Sequence, residues 1–332
     1  MALRQSAGAP IRHLITGVAG FIGSHLADSL LADGETVAGV DDFSLGVRQN
    51  LAVAERRPAF RFMEADVSDV GTATSAFQRL YADGPPEIVW HLAANSDIAA
   101  GVSDPSIDFR RTLGTTFAVI EAARAVGARR VAFASTSAVY GESDRLLTEE
   151  TGPLLPISNY GAAKLASEAL LSAAAETHLE RIWLFRFPNV VGPRATHGAL
   201  HDFAARLAAQ PAALKVLGDG AQAKPYIHVA ELIGAMLFIT RAAQDRRNLF
   251  NIGPQGAPTP VSFMAQAMID RLAPGTPIAY AGGDRGWVGD VPRFAYSADK
   301  LARLGWRPGL SSDQAVLRAA DEITAEQLAS VR

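Results

Sequence analysis

The chain has 332 residues, 48% of them hydrophobic, and a formal net charge of −3 at neutral pH. That length can bury one large core plus a lobe, or two medium cores, and the near-balanced charge gives no electrostatic case for a nucleic-acid partner. Cysteine is absent, which excludes disulfides and thiolate metal sites. No apolar run is long enough to mark a membrane span, and the N-terminal MALRQSAGAP lacks the apolar stretch of a signal peptide. The expectation is a soluble cytoplasmic protein with no membrane partner.

From residue 11 the order is strand, glycine-rich turn, helix, strand. RHLITG is a short apolar strand, FIGSHLADSLLADG has apolar residues at helical spacing and stops at Gly34, and TVAGVDD is a second strand. Further strands are FRFMEAD (60–66), EIVWHLAA (87–94), RRVAFAST (129–136) and RIWLFRFPNV (181–190). Helical stretches at 72–82, 107–127 and 158–179 separate them. This alternation predicts an α/β fold, a doubly wound parallel sheet covered on both faces. Past about residue 191 the rhythm breaks. A helix near 198–209, the loop GDGAQAKPY, a helix over about 229–241, the strand NLFNI and another helix lead to a closing section rich in Gly, Trp and Pro. The expected organisation is a nucleotide-binding domain over 11–191 and a smaller mixed α/β lobe over 192–332. That lobe would be interleaved with the end of the main sheet and would wall a cleft at the C-terminal ends of the strands.

GVAGFIG places Gly17, Gly20 and Gly23 between the first strand and its helix. The first glycine permits a tight turn, the second lets backbone approach a pyrophosphate at the helix N-terminus, and the third permits close packing of helix on sheet. The spacing is GxxGxxG, not the commoner GxGxxG. Asp41 ends the second strand, 24 residues beyond Gly17, where a carboxylate would accept from an adenosine ribose hydroxyl. Its charge opposes a 2'-phosphate, which favours NAD over NADP. Asp66, after the third strand, is a candidate for the adenine edge. Turn glycines and helix-capping aspartates are the structural alternative.

The stretch ASTSAVYG (134–141) ends a buried strand with Ser135, Thr136 and Ser137 in succession. Further on, ISNYGAAKLASEALL begins with Ser158 as N-cap and sets Tyr160 and Lys164 four apart, on one helix face. A free phenol is a poor base at neutral pH, but a neighbouring ammonium and a positively charged nicotinamide would stabilise the phenolate. Tyr160 could then take a proton from a substrate hydroxyl while the same carbon gives up a hydride. Alone, Tyr-x-x-x-Lys on a helix is more often a solvated face.

Taken together, these motifs resemble the extended short-chain dehydrogenase/reductases, in particular the NAD-dependent nucleotide-sugar epimerase/dehydratase family. The nearest pattern is that of UDP-glucose and UDP-glucuronate 4-epimerases. The resemblance rests on GVAGFIG, VDDFSLG, HLAA at 91–94, STSAVYG, YGAAK, RFPNVVGP, GDGAQAKPYIHV and the closing GWVGDVPR and LGWRP, in that order. It implies a Rossmann-like fold with a C-terminal substrate lobe, tightly held NAD, a nucleoside diphosphate sugar (a UDP-sugar favoured) in the cleft, and a homodimer through helices 107–127 and 158–179. The implied catalytic residues are Thr136, Tyr160 and Lys164. The implied cofactor contacts run from Gly17, Gly20, Phe21, Ile22 and Gly23 through Asp41, Asp42, Asp66 and Val67 to Leu92, Ala93 and Ala94, with Tyr160 and Lys164. The implied substrate contacts are Thr136, Ser137, Asn189, Lys224 and either Arg285 or Arg293.

Members of this family share oxidation at sugar C4 and differ in the next step. The 4,6-dehydratases carry Asp and Glu directly after the catalytic Thr, and UDP-glucuronate decarboxylases carry Glu where this chain has Ala138. Here those two positions are Ser137 and Ala138, which supply no carboxylate. The pattern therefore implies a 4-epimerase acting on a UDP-hexose or UDP-hexuronate. A 4-reductase, a dehydratase using other residues, and a non-catalytic NAD-binding sensor remain as alternatives. Several positions depart from the family. Lys224 stands where an arginine is usual, and Trp287–Asp290 replaces Arg-Pro-Gly-Asp. Thr112 replaces an asparagine. His197 and His201 are four apart but have no third ligand nearby, so no metal is expected.

Overall fold

In the computed structural model, which describes residues 12–330 apart from 83, 210–211, 255, 284–290 and 292–293, the described residues form one seven-stranded sheet and several two-stranded pairs. Its strands are β1 (Arg12–Thr16), β2 (Thr36–Asp41), β3 (Phe60–Glu64), β4 (Ile88–His91), β5 (Arg130–Ala134), β6 (Arg181–Arg186) and, after the short pair β7 (Asn189–Val191) and β8 (Tyr226–His228), β9 (Arg247–Asn251). The order is β9-β6-β5-β4-β1-β2-β3 and every pairing is parallel. Strand order reverses between β1 and β4, the place where open α/β sheets leave a crevice at the strand ends. The edge strand β9 comes from the second half of the chain, so the sheet is completed by residues beyond 192.

Alternate residues of each strand enter two different cores, as a sheet covered on both faces requires. Val89, Val131, Phe133, Ile182 and Leu184 pack beneath helices α2 (Val70–Leu80), α5 (Thr115–Val126) and α6 (Asn159–Thr177). Trp90, Ala132, Trp183 and Phe185 face α1 (Phe21–Ala32) and α8 (Val229–Ala242), and the rings of Trp90 and Phe185 stack at 6.5 Å. Each such side chain, fully buried, contributes about 1.5–3 kcal/mol. A third core joins α7 (Ala199–Ala208), α9 (Val261–Leu272) and α11 (Ser312–Ser330) in the lobe. Among the described residues no helix is long and apolar enough to cross a membrane.

Two elements differ from the sequence expectation. The stretch 107–127 is not one regular helix. α3 (Ile98–Ser103) and α4 (Pro105–Asp108) precede a π-helical turn over Phe109–Gly114, and only then does α5 begin. Inside that wide turn Thr112 accepts from the backbone N of Asn95 at 3.2 Å, while Thr116 Oγ1 donates to the Thr112 carbonyl at 2.9 Å. Threonine thus makes a structural contact at the position where the family has asparagine. The second difference is α11, for which the sequence suggests only an irregular close. Its apolar residues are mostly alanine, but Ala315, Val316, Ala319, Ala320 and Ile323 fall on one stripe and all enter the lobe core.

Two histidines are buried as neutral groups in the main sheet. His13 Nδ1 accepts from Trp90 Nε1 at 3.0 Å, and the ring nitrogens of His91 meet Thr16 and Thr116 at 2.9 and 3.0 Å. Burial, with Arg241 and Lys164 respectively adding to it, lowers His13 to about 4 and His91 to about 3. Below the ordinary value of 6.5 the unfolded chain takes up protons that the folded chain refuses, so stability falls with falling pH until these folded-state values are reached. Each histidine should contribute a slope of up to about 1.4 kcal/mol per pH unit in that window. Urea unfolding across this range should show the decline, and His13→Gln should flatten it. An unchanged slope in that variant would contradict the assignment.

Candidate active site

The site is built where β1, β4, β5 and β6 end. β1 runs into Gly17, whose φ of +74° is a left-handed conformation that glycine adopts freely. A Cβ there would lie 2.8 Å from the backbone N of Ala93, just past β4, and a Cβ on Gly23 would lie 2.1 Å from the Gly17 carbonyl. Side chains are thus excluded at these two glycine positions, which lets the turn pack tightly at the N-terminus of α1, where backbone N–H groups can meet an anionic ligand. Asp41, 7% exposed, is fixed behind the turn, with Oδ2 accepting from Ala19 N at 2.9 Å and Oδ1 from Phe43 N at 2.8 Å. Burial raises its pKa, against the lowering effect of those two bonds. Asp42 and Asp66 each accept from the backbone N two residues on, Ser44 and Ser68, which holds them at the mouth of the same crevice.

A cavity of about 850 Å³ runs from this turn to the lobe. Gly17, Gly20, Phe21, Ile22, Gly23, Asp41, Asp42, Asp66, Val67, Leu92, Ala93 and Ala94 line it at one end. Thr136, Ser137, Tyr160 and Lys164 line its middle, and Asn189 and Lys224 its far end. His197 and His201 also border it, and among the described residues no cluster of three potential metal ligands forms. Arg285, Arg293 and Trp287–Asp290 lie outside the described residues.

The middle of the cavity depends on a close contact between α6 and the turn after β5. A Cβ on Gly161 would sit 2.7 Å from the Ala138 carbonyl, so only glycine lets the start of α6 come this near. Ser158 caps the helix by accepting from Gly161 N at 3.1 Å. This brings Tyr160 beside Thr136, whose Oγ1 accepts from Ala138 N at 3.1 Å. Desolvation pushes Tyr160 up to about 12, opposed by the neighbouring Thr136 hydroxyl and aided by the charge of Asp108. One turn along, Lys164 is 2% exposed and Nζ donates to the Ala134 carbonyl at 2.6 Å. Its ammonium lies 4.7 Å from the Phe133 ring centre and 5.9 Å from that of Tyr160. Burial brings Lys164 down to about 7, against the charges of Glu168 and Asp108.

The three hydroxyls of ASTS have separate uses. Thr136 faces Tyr160, and Ser137 lines the cavity while its backbone N donates to Phe187 O at 3.0 Å. Ser135 turns inward and donates to Glu168. Glu168 is also gripped by Arg186, with Nε at 2.9 Å and Nη2 at 2.6 Å, and the two side chains are 7% and 4% exposed. Sequence reasoning did not find this pair, nor Asp108 (1% exposed), whose Oδ1 accepts from Asn95 Nδ2 at 2.8 Å. The one available signal was local, since Glu168 repeats the four-residue step of Tyr160 and Lys164. Nothing local pairs it with a strand residue 18 positions later.

A doubly wound sheet with a glycine turn at its first strand end, and a Tyr-Lys helix facing a hydroxyl-bearing strand end, defines a short-chain dehydrogenase/reductase of the extended type. The family model described as the NAD dependent epimerase/dehydratase family matches residues 13–253, and the chain belongs to that family. A UDP-glucose 4-epimerase of Mycolicibacterium smegmatis is 31% identical over 318 residues, which cover 94% of this chain and 98% of that one. A solved UDP-galactose 4-epimerase superposes with a TM-score of 0.82 at 34% identity, over 96% of this chain and all of the other (100%). The UDP-glucose 4-epimerase of Thermus thermophilus, solved in complex with NAD, gives a TM-score of 0.82 at 29% identity, over 94% and 98% of the two chains.

Removing one partner of the buried Glu168–Arg186 pair strands a charge in the core. Glu168→Ala should destabilise the protein by about 3–5 kcal/mol, read as a lowered urea midpoint. A midpoint equal to that of the unaltered protein would show that the pair is not a structural tie.

Proposed function

We propose that this protein is a nucleotide-sugar 4-epimerase that uses tightly bound NAD and acts on a UDP-hexose or UDP-hexuronate. The observation that carries the reading is the meeting of Thr136, Tyr160 and Lys164 in one cavity, with Ser137 and Ala138 supplying no carboxylate beside them. The residues present suit a dinucleotide, because three glycines at the N-terminus of α1 let the turn pack closely against its own backbone and against Ala93, while the turn and Asp41 line one cavity. In this reading the turn from Gly17 to Gly23 holds the pyrophosphate, Asp41 the adenosine ribose, Asp66 the adenine edge, and Lys164 the nicotinamide ribose. The carboxylate of Asp41 disfavours a 2'-phosphate, which supports NAD over NADP. When bound, NAD supplies a hydride acceptor at the sugar carbon and a donor to the same carbon.

The protein's own part is proton transfer, orientation and enclosure. Tyr160 takes the proton of the sugar 4-hydroxyl, with Thr136 hydrogen-bonding the same oxygen. Burial raises the pKa of the phenol, so Lys164 and the positive charge of bound NAD would have to offset that desolvation for it to act as a base. Lys164, fixed by the Ala134 carbonyl, places a positive charge near the Tyr160 ring and lowers the cost of the phenolate. The 4-keto sugar turns over within the cavity, which presents the other face of C4 to the returning hydride, and Tyr160 gives the proton back to the C4 oxygen. Elimination at C6 or loss of a C6 carboxylate would need an additional acid or base, and the two positions after Thr136 hold none. Asn189 and Lys224 line the same cavity, and in this reading they contact the diphosphate.

Incubation with a panel of UDP-, GDP- and dTDP-sugars should give a C4 epimer with no net NADH. A 4-keto-6-deoxy product or released CO2 would overturn the reading, and a net consumption of NADPH would favour a reductase. Tyr160→Phe should lower turnover by at least about 10²–10⁴-fold while leaving NAD bound after purification. Substantial remaining turnover would remove Tyr160 as the base, and an unaltered protein that holds NAD but turns over no sugar would favour a sensor.

A further inference from the structure

The segment that leaves β7 connects the two ends of the cleft without belonging to either. Gly192 packs tightly, since a Cβ there would lie 2.6 Å from Val229 and 3.5 Å from Phe21. The Pro193 carbonyl meets His25 Nε2 of α1 at 3.1 Å. Arg194 then adopts φ +66°, a left-handed conformation unusual for a residue with a side chain. The conformation is held from three directions. The guanidinium pairs with Asp28 of α1 at 2.7 Å, the backbone N donates to Glu326 of α11 at 3.1 Å, and the carbonyl accepts from Asn50 Nδ2 at 3.4 Å.

Asn50 is 6% exposed, and the same amide nitrogen donates to the Ala19 carbonyl at 3.0 Å. Ala19 lies inside the glycine turn, and its own N–H is held by Asp41. A chain of direct contacts therefore runs from the turn, through Asn50, to Arg194. Immediately after Arg194 come Ala195, Thr196, His197 and Gly198, all of which line the lobe side of the cavity and lead into α7. The Asp28–Arg194 pair is only 19% and 22% exposed, so solvent screens it less than a surface pair, and Asp28 Oδ1 is buried with no hydrogen-bond partner of its own.

We propose that Arg194 is a positioning residue that couples retention of the dinucleotide to occupation of the nucleotide-sugar side of the cleft. This rests on the reading of the two ends given above. A ligand that orders residues 195–198 also orders Arg194, and through Asn50 and Asp28 it stiffens the turn and helix that hold the cofactor. Coupling of this kind is reciprocal in affinity, so each ligand tightens the other by the same free energy, and for a tightly held dinucleotide the gain is read mainly in its rate of release.

The test is the rate of NAD release from purified holoenzyme after dilution, with and without saturating UDP. Arg194→Gly is the informative variant, because glycine accepts the left-handed backbone and only the side-chain contacts are lost. Asp28→Asn is the second variant, removing the charge of the pair with little change of shape. In the unaltered protein UDP should slow release by roughly tenfold, within the usual range for coupled sites. Both variants leave Asn50 Nδ2 on the Arg194 carbonyl, so each should lose part of the slowing, and adding Asn50→Leu should bring it below about twofold, while unfolding remains cooperative. Either folded variant keeping the full slowing would overturn the proposal, as would UDP that binds the unaltered protein but leaves its NAD release unchanged. If UDP does not bind the unaltered protein at all, the nucleotide-sugar reading fails instead.

Discussion

A buried ammonium constrains much of the site. Lys164 is almost fully withdrawn from water, and an unpaired charge in that position would cost several kcal/mol. Its compensation comes from separate elements: the Ala134 carbonyl at the end of β5, the Phe133 ring in the same strand, Glu168 one turn further along α6, and Asp108 in α4. Glu168 is in turn neutralised by Arg186 at the end of β6. These elements must arrive in register for the ammonium to be tolerated. When they do, Tyr160 is set one helical turn away against Thr136, so the requirement for satisfying a buried charge also determines where the phenol stands.

The same closeness explains the glycines that flank the chemistry. Gly161 lets α6 approach the Ala138 carbonyl, and Gly17 lets the glycine turn approach Ala93. In both places backbone meets backbone at distances a Cβ would prevent. The reaction proposed for this cavity returns both the proton and the hydride to the sugar that gave them, so a hydroxyl, a phenol and an ammonium suffice for it. The silent Ala138 is informative for that reason, because it stands where related chemistries place a carboxylate.

Much of this was legible in the sequence wherever the physics is local. Strand alternation, the glycine turn, the aspartate ending β2 and the four-residue step from Tyr160 to Lys164 all follow from spacing along the chain. Residues that meet only through the fold were not legible. Glu168 and Arg186, Asp108 and Asn95, and Asn50 and Arg194 are joined across elements, and no short-range pattern marks them. The π-helical turn after α4 was hidden because no short-range pattern in Phe109–Gly114 marks it, and the contact Thr112 makes from it is to Asn95, in another element. α11 was missed because its buried stripe is mostly alanine, which shows weak amphipathic contrast.

The central claim is that chemistry occurs at C4 and that no carbon-bound hydrogen of the sugar is lost to solvent. Turnover of a UDP-sugar carrying deuterium on C4, followed by carbon-resolved NMR of the epimer, tests it most directly. The account predicts that the product keeps its deuterium at C4, and that unlabelled substrate turned over in deuterated water gains none at any carbon. Loss of the C4 label, or solvent deuterium appearing at C3, C4 or C5, would contradict it.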